Sequence, residues 1–435
     1  MNRCDFFVSL GAATLYDVER APLEPFKSPL RRWLALLMVL VGGELVLLFG
    51  GSALPLRRPV QAAVAVAVVA GVAAALWPLH LPRLQLTRLG RVAASVLCVL
   101  AATGYLYFTA DRQGRSFLPR YTDEFSYLLQ SKMLAAGRLW LPAHAHPEFF
   151  ESFQIVVEPV YASIYFPGAA LAYAVGVLIH APQWLPPLVL SALCVELLRR
   201  IAGQWFGPAA GWLAALMLVG LSLFRLQSIM TMAQVPVLLA GLTMIWSWLR
   251  WRDSRGRGWF ALLAVAAGWA AITRPVDALC FALPIFSAVA VELYRLGGTA
   301  AVRLGLLALA CILPSLTIQL VFNRGITGAW FRTPFGFYAE RFNPGTEYGF
   351  GRPAGLPQTQ LPQKLAYYES FTRPFLQNHT PRAVWRAWKE RRLRETLLNG
   401  LPHPVLLALL PVGMLSLGRS ALAVAIAPLP LFALL

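Results

Sequence analysis

The feature that most constrains this chain is a succession of apolar runs, each close to the ~20 residues a helix needs to cross the hydrocarbon of a bilayer. They fall near 33–50, 59–79, 91–110, 184–201, 208–225, 235–250, 258–273, 276–294, 302–322, 402–418 and 420–435. Lipid offers the backbone no hydrogen-bond partner, so segments of this kind must close their own ladders as helices. The sequence therefore predicts an all-α polytopic membrane protein with about 11 transmembrane helices. Composition agrees: 58% of the 435 residues are hydrophobic and 13% charged, and a soluble domain carries about twice that charged fraction. A water-soluble globule and a disordered chain are both excluded.

Six segments follow from the runs. Residues 1–32 form a cytoplasmic N-terminal segment without a cleavable-signal pattern, and 33–110 three N-terminal helices. A first extracytoplasmic loop fills 111–183, a six-helix core 184–322, and a second extracytoplasmic loop 323–401. C-terminal helices occupy 402–435; the last run has 16 residues and reaches about 24 Å, so it is expected to be a truncated span.

Charge sets the sidedness of the two long loops. The run Tyr161 to Ile179 is apolar enough either to cross or to lie at the surface. If it does not cross, the short cytoplasmic loops 199–207, 250–257 and 295–303 plus Arg419 carry nine arginines, against Arg225 and Arg274 outside. If it crosses, that ratio inverts, against the bias of basic residues toward the cytoplasm. The non-crossing topology is the expectation. The net charge of +18 sits on the flanks of apolar segments, which points to lipid phosphate as partner and not to nucleic acid. Five cysteines, Cys4, Cys98, Cys194, Cys280 and Cys311, lack paired spacing and read as small core residues.

The first loop opens with RYTDEFSYLLQSKMLAAGRLW at 120–140, a helix expected to be capped by Thr122 or Asp123. Asp123 and Glu124 have two readings. Acidic residues in a first turn satisfy free N–H groups and the helix dipole; a carboxylate pair just past a span can also take a proton from a hydroxyl at the membrane surface. Arg274 and Asp277, one turn apart, read as a mutual ion pair or as a phosphate-binding arginine with its orienting carboxylate. Lys132, Arg138, Arg225 and Arg324 stand near the same outer surface, where basic residues anchor helix ends or hold phosphate.

The sequence HAHPEFFE, 144–151, is expected to be a polar loop, because His-x-His beside proline lacks the i,i+4 geometry of a helical metal site. The second loop begins NRGITGAWFRTPFGFYAERFNPGTEYGFG at 323–351 and continues to QNHT at 377–380. Its aromatic and polar side chains, Tyr338 and His379 among them, suit a sugar or lipid headgroup. The segment 381–400, with Val384, Trp385 and Trp388 on one face and arginines around them, reads as an interfacial helix.

A span leading into Asp123-Glu124, then Tyr127 and a helix ending in Gly137-Arg138-Leu139-Trp140, resembles a known pattern when taken with YFPG at 165–168, Phe206-Gly207 and Thr273-Arg274-Pro275. Over roughly 91–350 the chain resembles the GT-C superfamily of glycosyltransferases that use polyprenyl- or dolichyl-phosphate sugars. The branch it looks most like holds the protein O-mannosyltransferases and aminoarabinose transferases. The resemblance implies a GT-C-like helical bundle in a bacterial inner or plasma membrane with its active site extracytoplasmic. It also implies a polyprenyl-phosphate-sugar donor and a lipid, glycan or protein acceptor.

Asp123 would be the base of an inverting transfer with Glu124 beside it, and Lys132, Arg138, Arg225, Arg274 and Arg324 the candidates for the donor phosphate. Tyr127, Tyr165, Tyr338 and His379 would contact substrate. Relatives commonly carry a second acidic residue in the stretch 225–235; here Gln234 stands near that place, so no metal is assigned and a divalent cation stays open. Two other classes fit a polytopic chain with large outer loops: a transporter or flippase of lipid-linked intermediates, and a polymerase or ligase of surface glycans.

Overall fold

The computed structural model describes residues 87–346, 350, 355–392, 395, 400 and 417–434. The N-terminal segment 1–32, the expected spans 33–50 and 59–79, and nearly all of 402–418 lie outside the described residues. Most of what is described belongs to one compact unit, Leu86–Pro402 with Ser420–Leu435.

Helix α1 (Arg88–Arg112) starts where the Thr87 hydroxyl accepts the Gly90 N–H at 3.1 Å, a side-chain N-cap. The core then runs α4 (Leu185–Phe206), α5 (Pro208–Gly220), α6 (Ser222–Gln227), α7 (Gln234–Ser254), α8 (Arg257–Ala271), α9 (Pro275–Leu296) and α10 (Gly298–Thr327). Gly207 turns the chain between α4 and α5 at φ +97°, a conformation a side chain resists, and Pro208 supplies a preset first turn. α7 buries Trp248 and Trp251, α8 buries Phe260 and α4 buries Leu188, all in one core cluster.

Of the helices described, α1, α9 and α10 are long and apolar enough to cross a membrane. α10 leaves Val302, Leu306, Leu309, Leu313 and Leu316 exposed, a strip that water would not tolerate and lipid does. The chain is therefore a mostly helical integral membrane protein. Several expected boundaries are corrected. The run 208–225 is two helices broken at Leu221, and 420–435 breaks at Ala427 between Arg419–Ile426 and Pro428–Leu434. α4 continues past its expected run to Phe206, and α7 past its own to Ser254, through Arg252 and Asp253.

The helix ends gather at two poles. Ser95 near the start of α1 meets Arg200 near the end of α4, Arg250 late in α7 lies over Trp259 early in α8, and Arg255 after α7 meets Glu292 late in α9. At the other pole, Tyr107 late in α1 packs on Trp184 just before α4, and the α8–α9 junction meets the first loop.

The first loop is not purely helical. After α2 (Thr122–Ala135), strands β1 (Leu141–Pro142), β2 (Ile155–Val156) and β3 (Val160–Ser163) form an antiparallel sheet in the order β1-β3-β2. The ambiguous apolar run becomes β3 followed by α3 (Pro167–Leu178), whose 12 residues reach about 18 Å, too short to cross. The second loop folds as α11 (Pro334–Phe342), α12 (Pro362–Tyr367), a π-turn Tyr368–Thr372, α13 (Arg373–Asn378) and α14 (Pro381–Ala387). Within the stretch expected as an interfacial helix, 381–400, α14 passes directly into a π-turn, Trp388–Arg392, with Trp385 and Trp388 stacked at 5.2 Å, and most of 393–399 lies outside the described residues.

The two loops lock together. Tyr338 on α11 accepts the Gln154 N–H at 3.2 Å, Arg341 reaches Glu158 at 3.4 Å, and Lys364 on α12 pairs with Glu151 at 3.0 Å. Lys364 also sits over the Phe342 ring at 3.9 Å, so this strut is apolar and charged at once.

Candidate active site

The site is built at the first turn of α2. Tyr121, not Thr122 or Asp123, occupies the N-cap position, and the free amides are met by Glu124 from inside the helix. Its Oε1 accepts the N–H groups of Arg120 at 3.0 Å and Tyr121 at 3.4 Å. Its Oε2 accepts the Thr231 N–H at 3.1 Å, from the connection into α7. Glu124 is 4% exposed, so this carboxylate ties α2 to the core with both oxygens engaged.

Asp123 points the other way. Its Oδ1 accepts the Tyr165 hydroxyl in a short hydrogen bond. The Tyr165 ring stacks on Tyr127 with centroids 4.4 Å apart and planes 12° apart. Burial pushes the Tyr165 phenol well above its ordinary range, and its bond to Asp123 pushes it further. Tyr127 is raised first by burial; Arg274 draws it down, and Asp123 and Asp277 push it up. All five groups therefore share one electrostatic neighbourhood. Arg274 and Asp277 form the ion pair the spacing suggests, Nε to Oδ2, with the Arg274 side chain still 40% exposed.

Two further motif segments hold the floor. Pro167 opens α3, and Gly168 donates its N–H to Ile272 O at 2.7 Å. The Tyr-Phe-Pro-Gly and Thr-Arg-Pro segments, about a hundred residues apart in sequence, are thus in direct contact. Gln130 supports Tyr165 by donating to its carbonyl at 2.9 Å, and Ser126 bridges Ser163 and Gln154 O at 2.8 Å each.

The remaining sequence candidates are dispersed. Arg225 donates to the Val219 and Gly220 carbonyls at 3.1 and 2.5 Å and so caps α5. Lys132 is exposed more than two turns along α2 from Asp123, and Arg138 and Arg324 are exposed beyond α2 and late in α10. Tyr338 is buried in the strut between the loops, and His379 packs between Phe350 and Phe375. His146 pairs with Glu148 at 3.4 Å, while Glu151 is taken by Lys364. Among the described residues no group of three His, Cys, Asp or Glu is gathered for a metal.

Sequence reasoning missed Thr231, whose contribution is a backbone N–H and leaves no side-chain signal. It also missed Tyr367 on α12. This half-exposed phenol packs edge-on to Phe153 at 5.8 Å and is raised by burial and then by Asp123, which brings the second loop over the site.

Fold and site together define an integral membrane protein with a carboxylate-tyrosine centre where its two long loops meet the helix ends. No protein-family model and no curated protein matches the sequence. Among solved structures the chain is similar to ArnT from Cupriavidus metallidurans bound to undecaprenyl phosphate, at a TM-score of 0.40 and 16% identity, over 80% of this chain and 60% of that one. The chain thus spans about three fifths of that protein's length.

Proposed function

We propose that this chain is a membrane glycosyltransferase of the GT-C type, moving a sugar from a polyprenyl phosphate to a hydroxyl-bearing acceptor at the extracytoplasmic face. The reading rests on one observation above others: the two first-turn carboxylates divide their work. Glu124 is consumed by three backbone N–H groups, and Asp123 stands beside it on the open side with one oxygen oriented by Tyr165.

In the proposed step the second oxygen of Asp123 takes the proton of the acceptor hydroxyl while the hydroxyl oxygen itself attacks and bonds to the anomeric carbon. The bond from that carbon to the phosphate oxygen breaks on the opposite face, its electron pair leaves with the phosphate, and configuration inverts. General-base help of this kind is worth about 10² to 10⁴ in rate. Arg274 is assigned to the departing phosphate: Asp277 holds its Nε, and its terminal nitrogens, without a hydrogen bond among the described residues, donate to developing charge. Glu124 is assigned a positioning role.

Mass analysis of glycolipids and surface glycans from cells with the gene, without it, and with Asp123→Asn tests the reading. A glycosylated product that needs both the gene and Asp123 is expected. Full product from a folded Asp123→Asn protein would reject the base. Movement of labelled lipid with no covalent product would reject the class in favour of transport.

A further inference from the structure

At the pole opposite Asp123 five arginines, Arg199, Arg200, Arg250, Arg252 and Arg255, face three carboxylates, Glu196, Asp253 and Glu292. Glu196 accepts from Arg199 and Arg200 at 2.6 Å each, and Glu292 from Arg252 at 3.2 Å and Arg255 at 2.6 Å. Glu196 and Glu292 each bridge two cations, and among the described residues of the cluster five arginines face three carboxylates, an excess of positive charge.

That excess is focused on one indole. The Arg200 and Arg250 guanidinium carbons both lie 5.7 Å from the Trp246 ring centre, and Arg250 is also 5.6 Å from Trp259. Arg200 spends Nε on Glu196 and Nη2 on Ser95 at 2.7 Å, which fixes its plane and leaves its other terminal nitrogen without a hydrogen bond among the described residues. Arg250 is held between two indoles, and among the described residues its acidic neighbour is Asp253, whose Oδ2 at 3.9 Å is too distant for a hydrogen bond. Both side chains are about two-fifths exposed, 39% and 40%. The adjoining α5 carries exposed Trp212, Leu213 and Leu216, with Arg199 over the Trp212 ring at 4.8 Å.

Two oriented guanidiniums with spare donors match a phosphodiester, which takes paired N–H donors from arginine. The indole layer and the apolar helix beside it match the headgroup level of a bilayer, where tryptophan concentrates and basic residues draw anionic lipid. We propose that Arg200, Arg250 and Trp246 form a seat for the headgroup phosphate of an anionic phospholipid, its acyl chains lying along α5. The seat stands apart from the Asp123 site and holds whether or not the transferase reading does.

The test is native mass spectrometry of the full-length chain released from micelles doped equally with phosphatidylglycerol and phosphatidylcholine. Wild type is expected to retain phosphatidylglycerol at least tenfold over phosphatidylcholine. Arg250→Gln, which breaks no hydrogen bond among the described residues, should lower that preference several-fold, and Arg200→Gln/Arg250→Gln should abolish it. Arg295→Gln, at the exposed end of α9, should leave it intact. An unchanged preference in the double variant would overturn the seat, as would equal loss in Arg295→Gln, which would indicate bulk charge. Displacement of the lipid by millimolar inorganic phosphate would overturn the assignment to a lipid headgroup.

Discussion

Gly168 and Thr273 touch so closely that only hydrogen fits between them: a Cβ on Gly168 would lie 2.2 Å from Thr273 Oγ1 and 2.7 Å from Ile272 O. The contact pins α3 to the α8–α9 junction and so sets where Tyr165 stands relative to Arg274. Gly168→Ala must push the two segments apart, since one obstacle is backbone; forced overpacking of this kind costs about 1–3 kcal/mol. A lowered Tm in detergent is expected, with partial recovery in Gly168→Ala/Thr273→Ala. An unchanged Tm for Gly168→Ala would show the junction to be loose.

Glu124 offers a separate test of how α2 is held. Its two oxygens meet three backbone donors, and Gln supplies one carbonyl oxygen and one NH₂. One end of Glu124→Gln must set donor against donor in a buried place, at about 1–3 kcal/mol. A Tm drop with a parallel loss of transfer activity is expected. Full stability in Glu124→Gln would mean that the Thr231 tie is dispensable.

Parts of this arrangement were legible in the sequence and parts were not. The apolar runs of α1, α9 and α10 declare themselves because lipid exposure demands unbroken hydrophobicity. Arg274 and Asp277 pair because three residues on a helix is a local distance. Asp123 and Tyr165 were each singled out by motif, but their bond spans 42 residues and depends on β3 and α3, whose strand and short-helix character an apolar run does not reveal. Lys364 gave no sign of its role. Its partner Glu151 lies 213 residues away in a stretch that reads as a polar loop, and a charge so placed looks like solvent-facing surface until both loops fold over it.

That Lys364–Glu151 pair is the third test. The side chains are 3% and 10% exposed, and Glu151 also accepts from Thr359. Removing one partner strands the other charge in an apolar strut, so Lys364→Met should cost about 3–5 kcal/mol, and Lys364→Met/Glu151→Leu should recover most of it. Burial lowers the Lys364 pKa, and the bond to Glu151 opposes this only in part. The unfolded chain then holds more protons than the folded one between the lowered value and the ordinary lysine value. Stability from this site is therefore least below that window and rises with pH through it. Denaturation across the alkaline range should show wild type gaining on Lys364→Met; a flat difference would refute the assignment.

Tyr165→Phe separates orientation from architecture. The ring keeps its stack on Tyr127, and the Gln130 bond is to the Tyr165 backbone, so both supports survive the change. What goes is one hydroxyl whose acceptor, Asp123, is partly exposed and can take water in its place, so Tm should move by less than a degree or two. A hydrogen bond to a charged group contributes about 1.5–3 kcal/mol. If it aligns the base only in the reactive complex, its loss should lower kcat about ten- to hundred-fold with KM little changed. The phenol, raised by burial and by Asp123, stays neutral through the alkaline range, so the wild-type profile should carry no alkaline limb from Tyr165. A kcat for Tyr165→Phe within twofold of wild type would leave Asp123 without the orienting partner that the proposed mechanism gives it.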